Sequence, residues 1–104
     1  MSQKNERQAD KLLITTEQSW NYLFGSLERL AFKLTISEKD KGYLFFVNRR
    51  LREIKATLIN VRVLIGPSDI DLPELLEKNL CKKLRVITDQ MRVMSMELDK
   101  IYLK

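Results

Sequence analysis

Cys81 is the one cysteine in the chain and histidine is absent, so zinc chemistry and histidine-based acid–base catalysis lack their usual residues. Lys78, Lys82 and Lys83 lie close to Cys81 in sequence and would make its thiol reactive if they surrounded it; the competing reading is a small buried hydrophobe. Glu74 and Glu77 are one helical step apart and form a candidate carboxylate pair, although Glu74 also suits a helix cap and Glu77 a solvated face. Gly25, Gly42 and Gly66 are too widely separated to build a phosphate loop. The expectation is therefore a protein that is not an enzyme, with no cofactor, metal or small-molecule substrate.

Charge offers the next chemistry. The chain carries 19 Lys and Arg against 14 Asp and Glu, a net +5, and the excess is uneven. Residues 37–66 hold seven bases against three acids and residues 78–92 hold five against one, whereas residues 67–77 hold four acids and no base. Arg49, Arg50, Arg52 and Lys55, with Lys82, Lys83 and Arg85, form a candidate basic patch for a phosphate backbone or an acidic protein. Glu53 and Asp89 interrupt it, which is also how a solvated helix face reads.

The elements that would position these side chains follow from apolar periodicity. Leu44, Val47, Leu51, Ile54, Leu58, Val61 and Ile65 recur at alternating steps of three and four, the spacing of one helical seam and of no strand. Leu13, Trp20, Leu23, Leu27, Leu30 and Leu34 repeat it earlier, interrupted by Thr16, and Leu80, Leu84, Ile87, Met91, Met94, Leu98 and Ile101 repeat it later. The spacing predicts an all-α chain of three long amphipathic helices, over about 3–34, 38–65 and 72–102. The first helix has a candidate break at 14–16, which would leave a short separate helical arm before it. Gly66–Pro67 closes the second helix. Asp71 with Glu74 predicts a cap for the third, with Ile70 stapled onto Leu75, while Thr35/Glu38 and Ser37/Asp40 compete to cap the second. Short connections favour an elongated antiparallel up-down-up bundle with coiled-coil-like seams, one domain over 1–104. Tyr43, Phe45 and Phe46 are expected to cluster with Phe32 and Tyr102 at one pole.

Apolar residues outside the seams bear most directly on function. Phe45, Ala56, Ile59 and Val63 form a second stripe on the middle helix, and Val86, Val93, Met96 and Leu103 another on the third. Either the middle helix is sandwiched between its neighbours and covers these stripes, or they face a partner. Phe45, Ile59, Val63, Val86, Val93 and Met96 are the candidate interface residues, for a second copy or another protein. Met91 and Met94 fall on the seam, and Trp20 reads as a core anchor. Residues 1–10 are polar and carry no secretory signal, and no apolar run reaches the roughly 20 residues of a membrane span. The expected setting is the cytoplasm, without membrane association. The expected role is a self-associating helical module that binds a protein partner as an adaptor, chaperone or inhibitor. The alternative is a small basic nucleic-acid-binding protein, either a dimeric regulator or a ribonucleoprotein subunit.

Overall fold

The computed structural model describes residues 7–67 and 69–104. It contains three helices, α1 (Gln8–Leu30), α2 (Glu38–Ile65) and α3 (Glu74–Tyr102), with no strand among the described residues. The three seams meet in one apolar core. Leu13, Leu23 and Leu30 from α1, Val47, Leu51, Ile54 and Leu58 from α2, and Leu84, Met91 and Leu98 from α3 are each at most 3% exposed. The bundle is elongated, with principal extents of 58 × 23 × 17 Å.

Cross-helix contacts fix the path. Thr16 and Thr88 share a hydroxyl hydrogen bond of 3.0 Å, the Ala9 N–H donates to Glu77, and Lys33 donates to the Tyr102 carbonyl, so α1 and α3 run parallel. Arg62 reaches Glu17, and the Trp20 indole N–H donates to the Leu51 carbonyl at 2.8 Å, so α2 runs the other way beside α1. The helices are not evenly spaced: α1 lies closest to α3, and α2 and α3 touch least. Side-chain size explains this. Cys81, Thr88 and Ser95 recur every seven residues on the side of α3 that meets α1, and Thr16, Ser19 and Ser26 are similarly small on α1. Short side chains let two helix axes approach. The longer side chains of Tyr43, Arg50, Lys83 and Gln90 line the wider gap between α2 and α3.

Several boundaries differ from the periodicity. Among the described residues α1 is continuous from Gln8, with no break at 14–16 and no separate arm; residues 3–6 of the expected helix lie outside the described residues. Thr16, the interruption in the seam, is fully buried because its hydroxyl donates to the Leu12 carbonyl as well as meeting Thr88. The helix ends at Leu30 rather than 34, and Leu34 is fully exposed instead of seated in the core.

Ser37 wins the contest to cap α2, accepting from the Asp40 N–H at 3.1 Å. Gly66 ends α2 at φ 65°, a region that disfavours any side chain. The expected Asp71 cap is not made: α3 starts at Glu74 with Pro73 in the cap position, where no side chain serves. Ile70 and Leu75 are 56% and 71% exposed, so they form no staple. A proline there already sets the entry angle without a side-chain acceptor.

Cations from other elements close two helix ends. The Arg7 side chain is buried and donates to the carbonyls of Ile65, Gly66 and Ile70 while pairing with Asp10 at 2.7 Å. Lys33 donates to the Tyr102 and Lys104 carbonyls at 3.0 and 2.6 Å beyond α3. The last carbonyls of a helix have no partner within it and carry its negative partial charge, so a cation there satisfies both needs.

Candidate partner-binding surfaces

The six candidate interface residues are all on the surface, between 50% exposed for Val86 and 75% for Val63. The sandwich reading is thereby corrected: α2 is not covered on both sides, because α1 packs against α3 as well and each helix needs a single inward seam. The residues divide between two grooves. Phe45, Ile59 and Val63 border the α1–α2 groove, Phe45 with Phe24, Leu27 and Leu44, and Ile59 and Val63 with Trp20, Lys55 and Arg62. Val86 and Val93 border the α2–α3 groove, Val93 with Tyr43, Phe46 and Met94, and Val86 with Arg50, Lys82 and Lys83. Met96 stands on the outer side of α3, two residues beyond the buried Met94.

Trp20 anchors the first groove. Its ring stacks on Phe24 with centroids 5.2 Å apart and planes 8° from parallel, and the Lys55 ammonium lies 4.6 Å from its centroid. A cation over an indole face gains from the ring quadrupole and is held in place by it. The expected polar aromatic cluster does not form. Tyr43 meets Phe46 at 5.9 Å on the α3 side of α2, Phe45 turns toward α1, and Phe32 is 84% exposed beyond the end of α1. Tyr43 and Phe46, three residues apart, share one face of α2 while Phe45 lies on another, and α1 ends too early to bring Phe32 back.

The basic patch is divided too. Arg50, Lys82 and Lys83 share the α2–α3 groove. Arg50 is held there by Gln90 across the groove at 2.7 Å and by Glu53 from its own helix at 3.3 Å. Lys55 belongs to the other groove, and Arg52 stands between Phe45 and Ile59, seven residues from each. Arg85 lies between Cys81 and Thr88 on the α1-facing side of α3, and Arg49 is exposed on the outside of α2. No single face presents all seven cations.

Of the candidate catalytic groups, Glu77 is engaged, Cys81 is buried and Glu74 is exposed. Glu77 accepts the Ala9 N–H at 3.2 Å, and Glu74 stands exposed in the first turn of α3. Burial pushes the Cys81 thiol above its ordinary pKa and Glu77 adds to the effect, while Arg85 opposes it. This corrects the reactive-thiolate reading, since Cys81 is 4% exposed and Lys82 and Lys83 point into another groove. No cluster of metal-ligating side chains occurs, and no helix is long and apolar enough to cross a membrane, among the described residues. No family model, curated protein or solved structure matches this chain.

Proposed function

We propose that this chain is a cytoplasmic helical interaction module, acting as an adaptor, chaperone or inhibitor that binds a protein partner and also associates with a second copy of itself. The supporting observation is the row of large apolar side chains left outside a core that is already closed. Phe45, Ile59 and Val63 stay 55–75% exposed although the seams beneath them are filled. Apolar side chains exposed in this way gain free energy when another surface removes them from water. A two-fold contact reuses one patch on both copies, and the α1–α2 row suits that role because Trp20, Phe24 and Lys55 hold it in a fixed shape.

Sedimentation velocity tests self-association. The parent should sediment as a dimer at micromolar concentration and Ile59→Lys as a folded monomer; a monomeric parent removes this part of the reading. Affinity capture from native extract, with nuclease present, tests the wider one. A stoichiometric protein should be retained at high salt and lost with Ile59→Lys or Val93→Lys. The convergence of Arg50, Lys82 and Lys83 in one groove supports phosphate binding as the second reading. Nuclease-sensitive capture whose strength falls steeply with salt would put nucleic-acid binding in its place.

A further inference from the structure

We infer that the α2–α3 groove is the seat of an acidic amphipathic helix from another protein. This rests on the interaction-module reading and gives one partner surface a chemistry. The groove exists because α1 takes the close approach to α3, leaving α2 and α3 the least engaged pair. A fourth helix laid there would complete a four-helix arrangement.

Shape and charge agree on the occupant. Val86 and Val93 are seven residues apart on α3, about 10.5 Å at the usual helical rise, which is the repeat at which a helix presents its own apolar residues. Phe46 and Tyr43 face Val93 from α2, so the apolar contact has two walls. Between the valines, Arg50 donates to Gln90 at 2.7 Å and pairs with Glu53 of its own helix at 3.3 Å, which fixes its guanidinium mid-groove and leaves Lys82 and Lys83 as the cations with no acid beside them among the described residues of the lining. Lys82 and Lys83 continue the positive lining beyond it. A partner carboxylate reaching Lys82 and Lys83 gains charge-assisted hydrogen bonds, whereas a basic partner meets like charge at those two lysines.

Two other occupants fit less well. A nucleic acid would use the cations but leave Val86 and Val93 unmatched, and Tyr43 and Phe46 lie against each other, 5.9 Å between centroids, rather than as open stacking platforms. A second copy would have to supply an acidic helix. The acidic stretch of this chain, residues 67–77, reaches only the first turn of α3, and Glu77 there already accepts the Ala9 N–H.

The test is a titration of the full chain with a synthetic helical peptide of about 20 residues, roughly 30 Å long, bearing leucine on one face and glutamate on the other. Controls are the same peptide with lysine for glutamate and a labelled single-stranded oligonucleotide. The glutamate peptide should bind at least about tenfold more tightly than the lysine peptide, a difference of about 1.4 kcal/mol. Lys82→Glu with Lys83→Glu should erase that preference, and Val86→Glu with Val93→Glu should abolish binding. Arg85→Glu, the reversal of a single charge off the groove, should leave binding unchanged, with helicity of every variant checked by circular dichroism.

Equal affinity for both peptides, no binding of either, or tighter binding of the oligonucleotide overturns the inference. So does a parent dimer that the groove substitutions dissociate, which would assign the groove to a second copy. Failure of the peptide alongside a protein partner lost through Ile59→Lys would sink this inference and leave the interaction module standing.

Discussion

Thr16 shows how one side chain can look like an error in a pattern and serve the structure. By periodicity it interrupts an apolar seam, and by position it is buried with its hydroxyl bonded to both Leu12 and Thr88. A buried hydroxyl without a partner costs free energy, whereas two that satisfy each other cost little, so the pair should behave as a unit. Thr16→Val and Thr88→Val are each expected to destabilise by about 1 kcal/mol, and the double variant by less than their sum. Urea unfolding of the four proteins measures this; strict additivity would show that the hydroxyls act separately. The sequence carried no sign of the pairing, because the two threonines are 72 positions apart. Trp20 was more legible: its seam position announced an anchor, though not the carbonyl bond to Leu51 or Lys55 above its ring.

At the scale of the helices, the interiors were readable and the ends were not. Every expected seam residue of α2 after Leu44 is buried, since a seven-residue apolar repeat leaves one face for the core. The ends answer to distant groups. Arg7 closes the carbonyls that follow α2, and nothing local to Gly66 could announce a guanidinium 59 residues earlier in the chain. Arg7→Ala is expected to lower the melting temperature and raise amide exchange in the last turn of α2. Arg7→Lys should recover only part of the loss, because an ammonium lacks the fork that serves several acceptors at once. Unchanged exchange at Leu64 and Ile65 would show the contact to be incidental.

Asp40 ties the start of α2 to Lys104 at 2.8 Å. The hydrogen bond from Lys104 holds its carboxyl below the ordinary value, with Ser37 contributing, while desolvation opposes the shift. A carboxylate with a folded-state pKa below the unfolded one, about 3.9 for aspartate, stabilises fully above that value. The contribution is lost as pH falls through the folded pKa. The stability gap between the parent and Asp40→Asn should therefore be largest near neutral pH and close in acid. A gap independent of pH between neutrality and about pH 2 would exclude the ion pair as its source.

For the molecule as a whole, Leu58 reports on the core. It lies on the seam in the second half of α2 at 3% exposure, so Leu58→Asp buries a carboxylate without a partner and is expected to remove several kcal/mol of stability. A variant that melts within a few degrees of the parent would show the core to be elsewhere. The bundle class was legible because three seams and the Gly66 stop agreed with each other. Which pair of helices would sit closest was not, because that depends on matching small residues, Thr16 and Ser19 with Cys81 and Thr88, across two connections. The split of the candidate interface into two grooves escaped for the same reason: it is set by which neighbour each flank of α2 meets.

The close pairing of the first and last helices has a consequence for the order in which the protein can fold. The contacts cheapest to form, between neighbours in the chain, are the looser ones, while the tightest require α1 to meet a segment some 70 positions later, as Thr16 does at Thr88. Loop closure must precede those contacts, and non-local pairing slows folding relative to bundles built from adjacent hairpins. During synthesis α1 and α2 would wait, with the Leu23 and Leu51 side chains uncovered, until α3 had left the ribosome. A fragment ending at Pro67 should accordingly show weak, non-cooperative helicity, and stopped-flow refolding of the full chain should be slowed by Leu84→Ala as well as by Leu23→Ala. A fragment that melts cooperatively on its own would reverse that order.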